Sequence, residues 1–265
     1  MIGCENGHRF DVSKYRTVTL LPPKAPRTIG DDREMLAARA ALLDSALYGP
    51  IASALRDATS AWSPRGGAAL PRIADFGSGT GYYTEVVATA HEGSPVLAAD
   101  RSPTAVRMST RAVEGATGVV LDIWRPLPLR DDVVDIALNI FAPRNPAEYA
   151  RVIRARGILV VVVPRENHLL ELQRSGSMLT IPEGKQHQVT SALAAAGFAL
   201  VGQVPVEYTG DVDTAQRALL TAMGPTAHHL PTTARDEAEQ IGEHTTVTVA
   251  VDVLTFALPP DDVDP

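Results

Sequence analysis

Three glycines at alternate positions, Gly77, Gly79 and Gly81, close a short apolar run that carries an acid, I-A-D-F-G-S-G-T-G from Ile73 to Gly81. Such a run reads as a buried strand breaking into a tight turn, with a helix beginning near Tyr82 and Tyr83. Glycine suits the turn because positive φ and close backbone approach to a ligand both disfavour a side chain. The N–H groups opening the next helix then face whatever lies over the loop. Carboxylates end the next two apolar runs, Asp100 after Val96–Ala99 and Asp122 after Val119–Leu121. Asp100 lies one β-α-β step beyond the loop, where an acid holds ribose hydroxyls, and the glycine loop upstream favours that role over a simple cap for a helix over Ser102–Val113. Asp122 can accept from an exocyclic amine such as that of adenine. Ile123 and Trp124 could sandwich the ring, and Trp124 would also suit a core. Tyr82, Arg101 and Phe141 fall at the same corner.

A G-x-G-x-G loop with strand-end acids could serve a nicotinamide cofactor or S-adenosylmethionine. Asp75, on the strand ahead of the glycines, and acids ending two successive strands favour the second. The spacing departs from the dinucleotide G-x-G-x-x-G, and no G-K-[ST] follows to make a phosphate loop. Methyl transfer from a sulfonium needs an acceptor lone pair aligned behind the methyl, so positioning supplies much of the rate. For guanine N1 or an amide-like nitrogen, a proton must also leave to a group within hydrogen-bond reach. The candidates are Asn139, at the end of a strand Val133–Ile140, and Glu166 and His168, after the uniformly apolar run Ile158–Val163. Asn139 could instead brace the strand end. Arg144 and Arg165 could hold a phosphate or a carboxylate, or stand as solvated charges, and Arg33 and Arg39 invite the same two readings.

These residues need an open α/β sheet to bring them together. Apolar residues Met35, Leu36, Ala40, Leu42 and Leu43 recur at helical spacing after Asp31 and Asp32, and a second helix is predicted over Tyr48–Trp62. Strand and helix alternate after the glycine loop, with helices over Glu148–Ile153, Leu170–Gln173, His187–Ala196 and Thr214–Met223. Phe198–Val206 reads as a strand, and the alternation of Thr245–Phe256 predicts a long antiparallel one. The expected class is a Rossmann-like α/β fold, a mostly parallel seven-stranded sheet ending in an antiparallel hairpin. Hydrophobic content of 45% and charged content of 21% are those of a folded globular chain, and a formal charge of −7 argues against a strongly basic nucleic-acid binder. No apolar run approaches the roughly 18 residues of a membrane span, and with Cys4 the only cysteine there can be no internal disulfide, so a cytoplasmic protein is expected.

D-F-G-S-G-T-G-Y-Y, with L-N-I-F-A-P-R-N and P-R-E-N-H-L-L-E-L, resembles the class I S-adenosylmethionine-dependent methyltransferases. More narrowly, these segments with C-E-N-G-H-R-F-D-V and M-L-A-A-R-A-A-L-L-D-S resemble the large-subunit rRNA guanine-N1 methyltransferases, whose actinomycete members confer macrolide resistance. The resemblance implies S-adenosylmethionine as cofactor, S-adenosylhomocysteine as product, and an N-terminal zinc ribbon that helps to read an rRNA hairpin. It divides the chain into a ribbon-like segment and linker over residues 1–27 and a methyltransferase domain over residues 28–265.

Cys4 and His8 have the C-x3-H spacing of half a zinc site, and a structural zinc takes four ligands. The family's preceding C-x2-C pair is missing from a sequence that begins just before Cys4, so no bound zinc is expected. Pro22, Pro23 and Pro26 make a stiff linker, and Ser63–Gly67 a loop. The adjacent His228 and His229 read as solvent or rim, and the acidic tail Pro259–Pro265 as loose. Three functions follow. The first is rRNA methylation; the second is methylation of a small molecule in a secondary-metabolite pathway; the third is cofactor binding without catalysis. A homodimer is compatible with each.

Overall fold

The computed structural model describes residues 1–3, 5, 7–22, 30–62, 70–224 and 244–259. Cys4, Pro23, Pro26, the Ser63–Gly67 loop, His228, His229 and the tail from residue 260 lie outside the described residues.

The chain opens with a small hairpin of β1 (Ile2–Gly3) and β2 (Arg9–Phe10), then β3 (Thr17–Thr19). Helix α1 (Arg33–Asp44) starts where Asp32 accepts from the N–H groups of Glu34 and Met35 at 2.8 and 2.9 Å. That satisfies two of the donors a helix start leaves unpaired. Helix α2 (Gly49–Ser60) opens on Pro50, whose missing N–H costs nothing in a first turn. There follow β4 (Ile73–Phe76), α3 (Tyr82–Ala90), β5 (Val96–Asp100), α4 (Pro103–Ala112), β6 (Thr117–Val120), β7 (Val134–Ile140), α5 (Pro146–Val152) and β8 (Ile153–Pro164). The chain finishes with α6 (Leu170–Arg174), α7 (Lys185–Ala195), β9 (Ala199–Asp213), α8 (Thr214–Ala222) and β10 (His244–Ala257).

The main sheet has the order β3-β6-β5-β4-β7-β8-β10-β9. Its first six strands are parallel, and β10 and β9 close it as an antiparallel pair. It holds eight strands where seven were predicted. The eighth is β3, and the apolar Val18 that marks it does not reveal its partner. Pairing with β6 fastens the N-terminal segment to the sheet. From β4 the chain winds outward through β5 and β6, then returns to β7 on the other side, so the sheet's switch point lies between β4 and β7. Ligands bind outside the carboxyl ends of the strands at such a point.

The apolar run in β8 is buried on both faces. Ile158, Val160 and Val162 join one core with Leu42, Ile51, Leu55 and Val87 of the helices, whereas Leu159, Val161 and Val163 join another with Tyr149, Val152, Val189 and Leu193. Two-faced burial explains why the run is continuous and not alternating. Strand β9 runs on to Asp213, beyond the predicted Phe198–Val206, because β10 pairs with it along its whole length. Its far half mixes Glu207, Gly210 and Asp211 into a largely exposed edge, which hides it from apolar patterning. No helix among the described residues is long and apolar enough to cross a membrane.

Candidate functional site

Gly77, Gly79 and Gly81 adopt φ of 100°, 54° and 88°, as the turn required. Space as well as conformation calls for glycine at two of them. A Cβ on Gly77 would overlap that of Ala142, and one on Gly81 would sit 2.6 Å from Ser109 Cα. The loop is pinned from β5: the N–H groups of Gly77 and Ser78 both donate to Ala99 O, at 2.8 and 3.1 Å, and Gly79 N–H donates to Asp100 Oδ2 at 3.0 Å. Ser109 of α4 donates to Ser78 Oγ at 2.9 Å beneath it.

Asp75 lies under this cradle, 2% exposed. Its Oδ2 accepts from Thr84 Oγ1 at 2.6 Å, while Oδ1 is buried without a partner. Burial pushes its pKa up to about 7, the Thr84 hydrogen bond working against the rise. Asp100 is also raised by burial, offset by the N–H groups of Ser102 and Gly79. Its carboxylate thus ties the glycine loop to the start of α4, with Ser102 N–H donating to Oδ1 at 2.8 Å. Asp122 pairs with Arg101, Nη1 to Oδ2 at 2.5 Å, and accepts from Trp124 N–H at 3.2 Å. Trp124 is 66% exposed, so of the two roles read for it the core is excluded. An orphaned buried carboxylate oxygen and a backbone cradle that side chains would fill both fit an amino-acid-bearing, positively charged cofactor such as S-adenosylmethionine.

Helix α1 adds a residue whose charge could have been mere solvation. Arg39 Nη1 lies 3.5 Å from where a Cβ of Gly79 would be. It pairs with Asp31, while Nη2 donates to Met223 O at 2.8 Å. Its charge acts on Asp100, Tyr48 and Tyr83, which places it over the loop and not in solvent.

The predicted catalytic residues separate. Asn139 is fully buried, and its Nδ2 donates to Phe76 O at 3.1 Å and Pro143 O at 2.8 Å. Both its protons therefore brace the end of β4 against the 141–145 loop. Its Oδ1, the oxygen read as orienting a nucleophile, is buried without a partner, while its Nδ2 serves the strand-end role. His168 is 8% exposed, and its Nδ1 accepts from Ala250 N–H at 3.2 Å. That bond puts the ring proton on Nε2, 3.4 Å from Tyr48 Oη. Burial first, and then the charge of Lys185, pulls its pKa down to about 4. A neutral ring whose acceptor nitrogen is engaged by Ala250 N–H suits a positioning role beside Phe141. Glu166 is exposed, its Oε1 accepting from Gly184 N–H at 3.1 Å. It lines a cleft of about 430 Å³ with Arg165, Asn167, Lys185 and His187.

Phe141 stands between the two halves. It follows β7 with φ of 52°, a strained value for a non-glycine residue, and the residue is 41% exposed. Tyr48 and His168 back it, with ring centroids 6.4 and 6.2 Å away. Tyr48, at the start of α2, escaped sequence reading because nothing local to it points to the site. The contact of Ala142 with Gly77 sets this aromatic group directly against the cofactor loop.

Residues 74–161 match the model of a methyltransferase domain. A crystal structure of a Bacillus halodurans protein classed as a methyltransferase superposes with a TM-score of 0.54 at 16% identity, covering 78% of this chain and 99% of that one, and supports the fold. A 23S rRNA (guanine(748)-N(1))-methyltransferase of Streptomyces fradiae is 39% identical over 226 residues, 85% of this chain and 79% of that enzyme. A Micromonospora griseorubida protein named for a 23S rRNA guanine-N1 activity is 35% identical over 96% of this chain and 89% of its own length. With the cofactor corner in place and the likeness running through nearly the whole chain, the protein belongs to the S-adenosylmethionine-dependent methyltransferases, in the family of the 23S rRNA guanine-N1 enzymes.

Proposed function

We propose that the protein methylates N1 of a guanine in 23S rRNA. The observation that carries this reading is the partly exposed Phe141 ring, fixed by backbone strain and aromatic backing at the edge of the cofactor loop. A flat apolar face at this place suits a planar base taken out of its stack. The named substrates of the curated relatives supply the identity of the base.

Gly77, Gly79 and Gly81 give the cofactor close backbone approach, Asp75 and Arg39 suit the charged ends of its amino-acid part, and Asp100 suits its ribose. Asp122, Arg101, Ile123 and Tyr82 complete the same corner. When bound, S-adenosylmethionine supplies an electrophilic methyl group on a sulfonium. The chain itself orients the acceptor through Phe141, Tyr48 and His168. Asn139 keeps the 141–145 loop against β4 so that both partners stay in register. Glu166, the exposed carboxylate at the rim, is assigned to accept the proton leaving guanine N1.

The test is transfer of labelled methyl from S-adenosylmethionine to unmodified 23S rRNA by the full chain, with the modified nucleotide identified after digestion. Label on guanine N1 is expected. Absence of label from the rRNA would overturn the reading in favour of a small-molecule acceptor.

A further inference from the structure

Arg144 and Lys185 come from different loops to the same edge of the sheet. Arg144 sits between β7 and α5, and Lys185 opens α7 after the segment leaving β8. Strands β7 and β8 are parallel neighbours, so both residues stand at the carboxyl-end rim beside Phe141. Both are half-buried, and Arg144 Nε is buried with no hydrogen-bond partner. Among the described residues, neither has a carboxylate within ion-pair distance. Other arginines at these strand ends do: Arg101 meets Asp122, and Arg165 meets Glu207.

Two partly desolvated cations without a counter-charge are costly, and they repel each other. The repulsion is felt at Lys185, whose pKa is lowered by burial and by the charge of Arg144. Helix α7 adds to the positive field, because no side chain caps its first turn. Glu166 accepts from Gly184 N–H at 3.1 Å but ion-pairs with neither cation, so an outside anion is their available partner. Lys185 also acts on His168, whose ring stacks on Phe141 at 23° between planes. The anion would therefore be one aromatic contact away from the proposed base platform.

We propose that Arg144, Lys185 and the first turn of α7 hold a backbone phosphate of the acceptor RNA next to the methylated guanosine. This rests on the rRNA reading above, and it adds a site that the cofactor chemistry does not require. Arginine and lysine converging with uncapped helix amides suit a phosphodiester, which offers several oxygens to several donors at once.

The test uses the full chain with Arg144→Gln, Lys185→Gln and the double variant, assayed for methyl transfer to a 23S rRNA fragment across a salt series. KM for RNA should rise about tenfold in each single variant, the loss expected of a charged hydrogen bond. The log–log salt slope should become shallower by about 0.7 to 0.9, one phosphate contact fewer. Lys185→Arg should restore most of the KM, and cofactor affinity should stay at the wild-type value in all variants. An unchanged KM and salt slope in the folded double variant would overturn the site while leaving the rRNA reading intact. If the wild-type protein labels no rRNA, the reading itself fails, and titration with inorganic phosphate decides the site alone. Binding to wild type that Lys185→Gln removes supports an anion site, and equal binding to both overturns it.

Discussion

The guanidinium of Arg39 lies across the glycine loop, its Nη1 3.5 Å from the point a Cβ of Gly79 would take. Asp31 and the carbonyl of Met223 hold it there, so the cation is fixed before any ligand arrives. A carboxylate on the cofactor would meet a preorganised partner. Arg39→Met should weaken S-adenosylmethionine about 10- to 100-fold, as for a charge-assisted hydrogen bond. Decarboxylated S-adenosylmethionine should bind wild type and variant alike in calorimetric titration. An equal loss for both ligands would mean that Arg39 only steadies α1.

Gly77 and Gly176 separate conformation from space. Both have positive φ, 100° and 74°, yet a Cβ on Gly77 would overlap Ala142 whereas one on Gly176 would meet nothing within 4 Å. Gly176→Ala should cost about 1 kcal/mol, the left-handed backbone penalty alone. Gly77→Ala should cost about 1 to 3 kcal/mol more, through overpacking, and should lose cofactor binding as the 141–145 loop is pushed away. Urea unfolding and cofactor titration of the two variants check this. Equal destabilisation would remove the clash from the explanation.

The cofactor corner was legible because its signals are local. A glycine's need for positive φ, and an acid at the end of an apolar run, are written within a few residues, as at Gly77 and Asp100. The acceptor side was not. Tyr48 and Lys185 reach the site from separate helices, and nothing in their neighbours distinguishes them from ordinary core or surface residues. Asn139 and His168 were read at strand ends, but the partners that hold them were not legible. Sequence shows a polar residue near the ligand edge, whereas only packing shows that Phe76 O and Pro143 O engage Asn139 Nδ2, that Ala250 N–H engages His168 Nδ1, and that Asn139 Oδ1 stays without a partner. The strand Thr17–Thr19 illustrates the same limit, because three residues carry no record of pairing with β6.

His168 gives a direct test of positioning against proton transfer. Its Nδ1 accepts from Ala250 N–H, a bond that asparagine can reproduce through Oδ1. His168→Asn should therefore keep kcat within about tenfold of wild type, with the larger effect on KM for RNA through the loosened Phe141. A general base would cost about 10²- to 10⁴-fold in kcat. A loss of that size, with the acid limb of the pH–rate profile removed, would return His168 to catalysis.

Asp75 and His168 pull the pH dependence of stability in opposite directions. Asp75, raised to about 7 by burial, keeps a proton that the unfolded chain has released. Its contribution is full below about pH 4 and is lost as pH rises through about 7. His168, lowered to about 4, stays neutral while the unfolded chain takes up a proton near the ordinary histidine value of 6.5. Its contribution is full above about pH 6.5 and is lost as pH falls through about 4. Between about pH 4.5 and 6.5 the two slopes nearly cancel, each amounting to about 2 kcal/mol across the window. Asp75→Asn should therefore leave a protein that gains stability as pH rises, and His168→Asn one that loses it. Urea unfolding of the three proteins at several pH values measures the slopes. If both variants track the wild type in parallel, burial does not hold either group in its uncharged form.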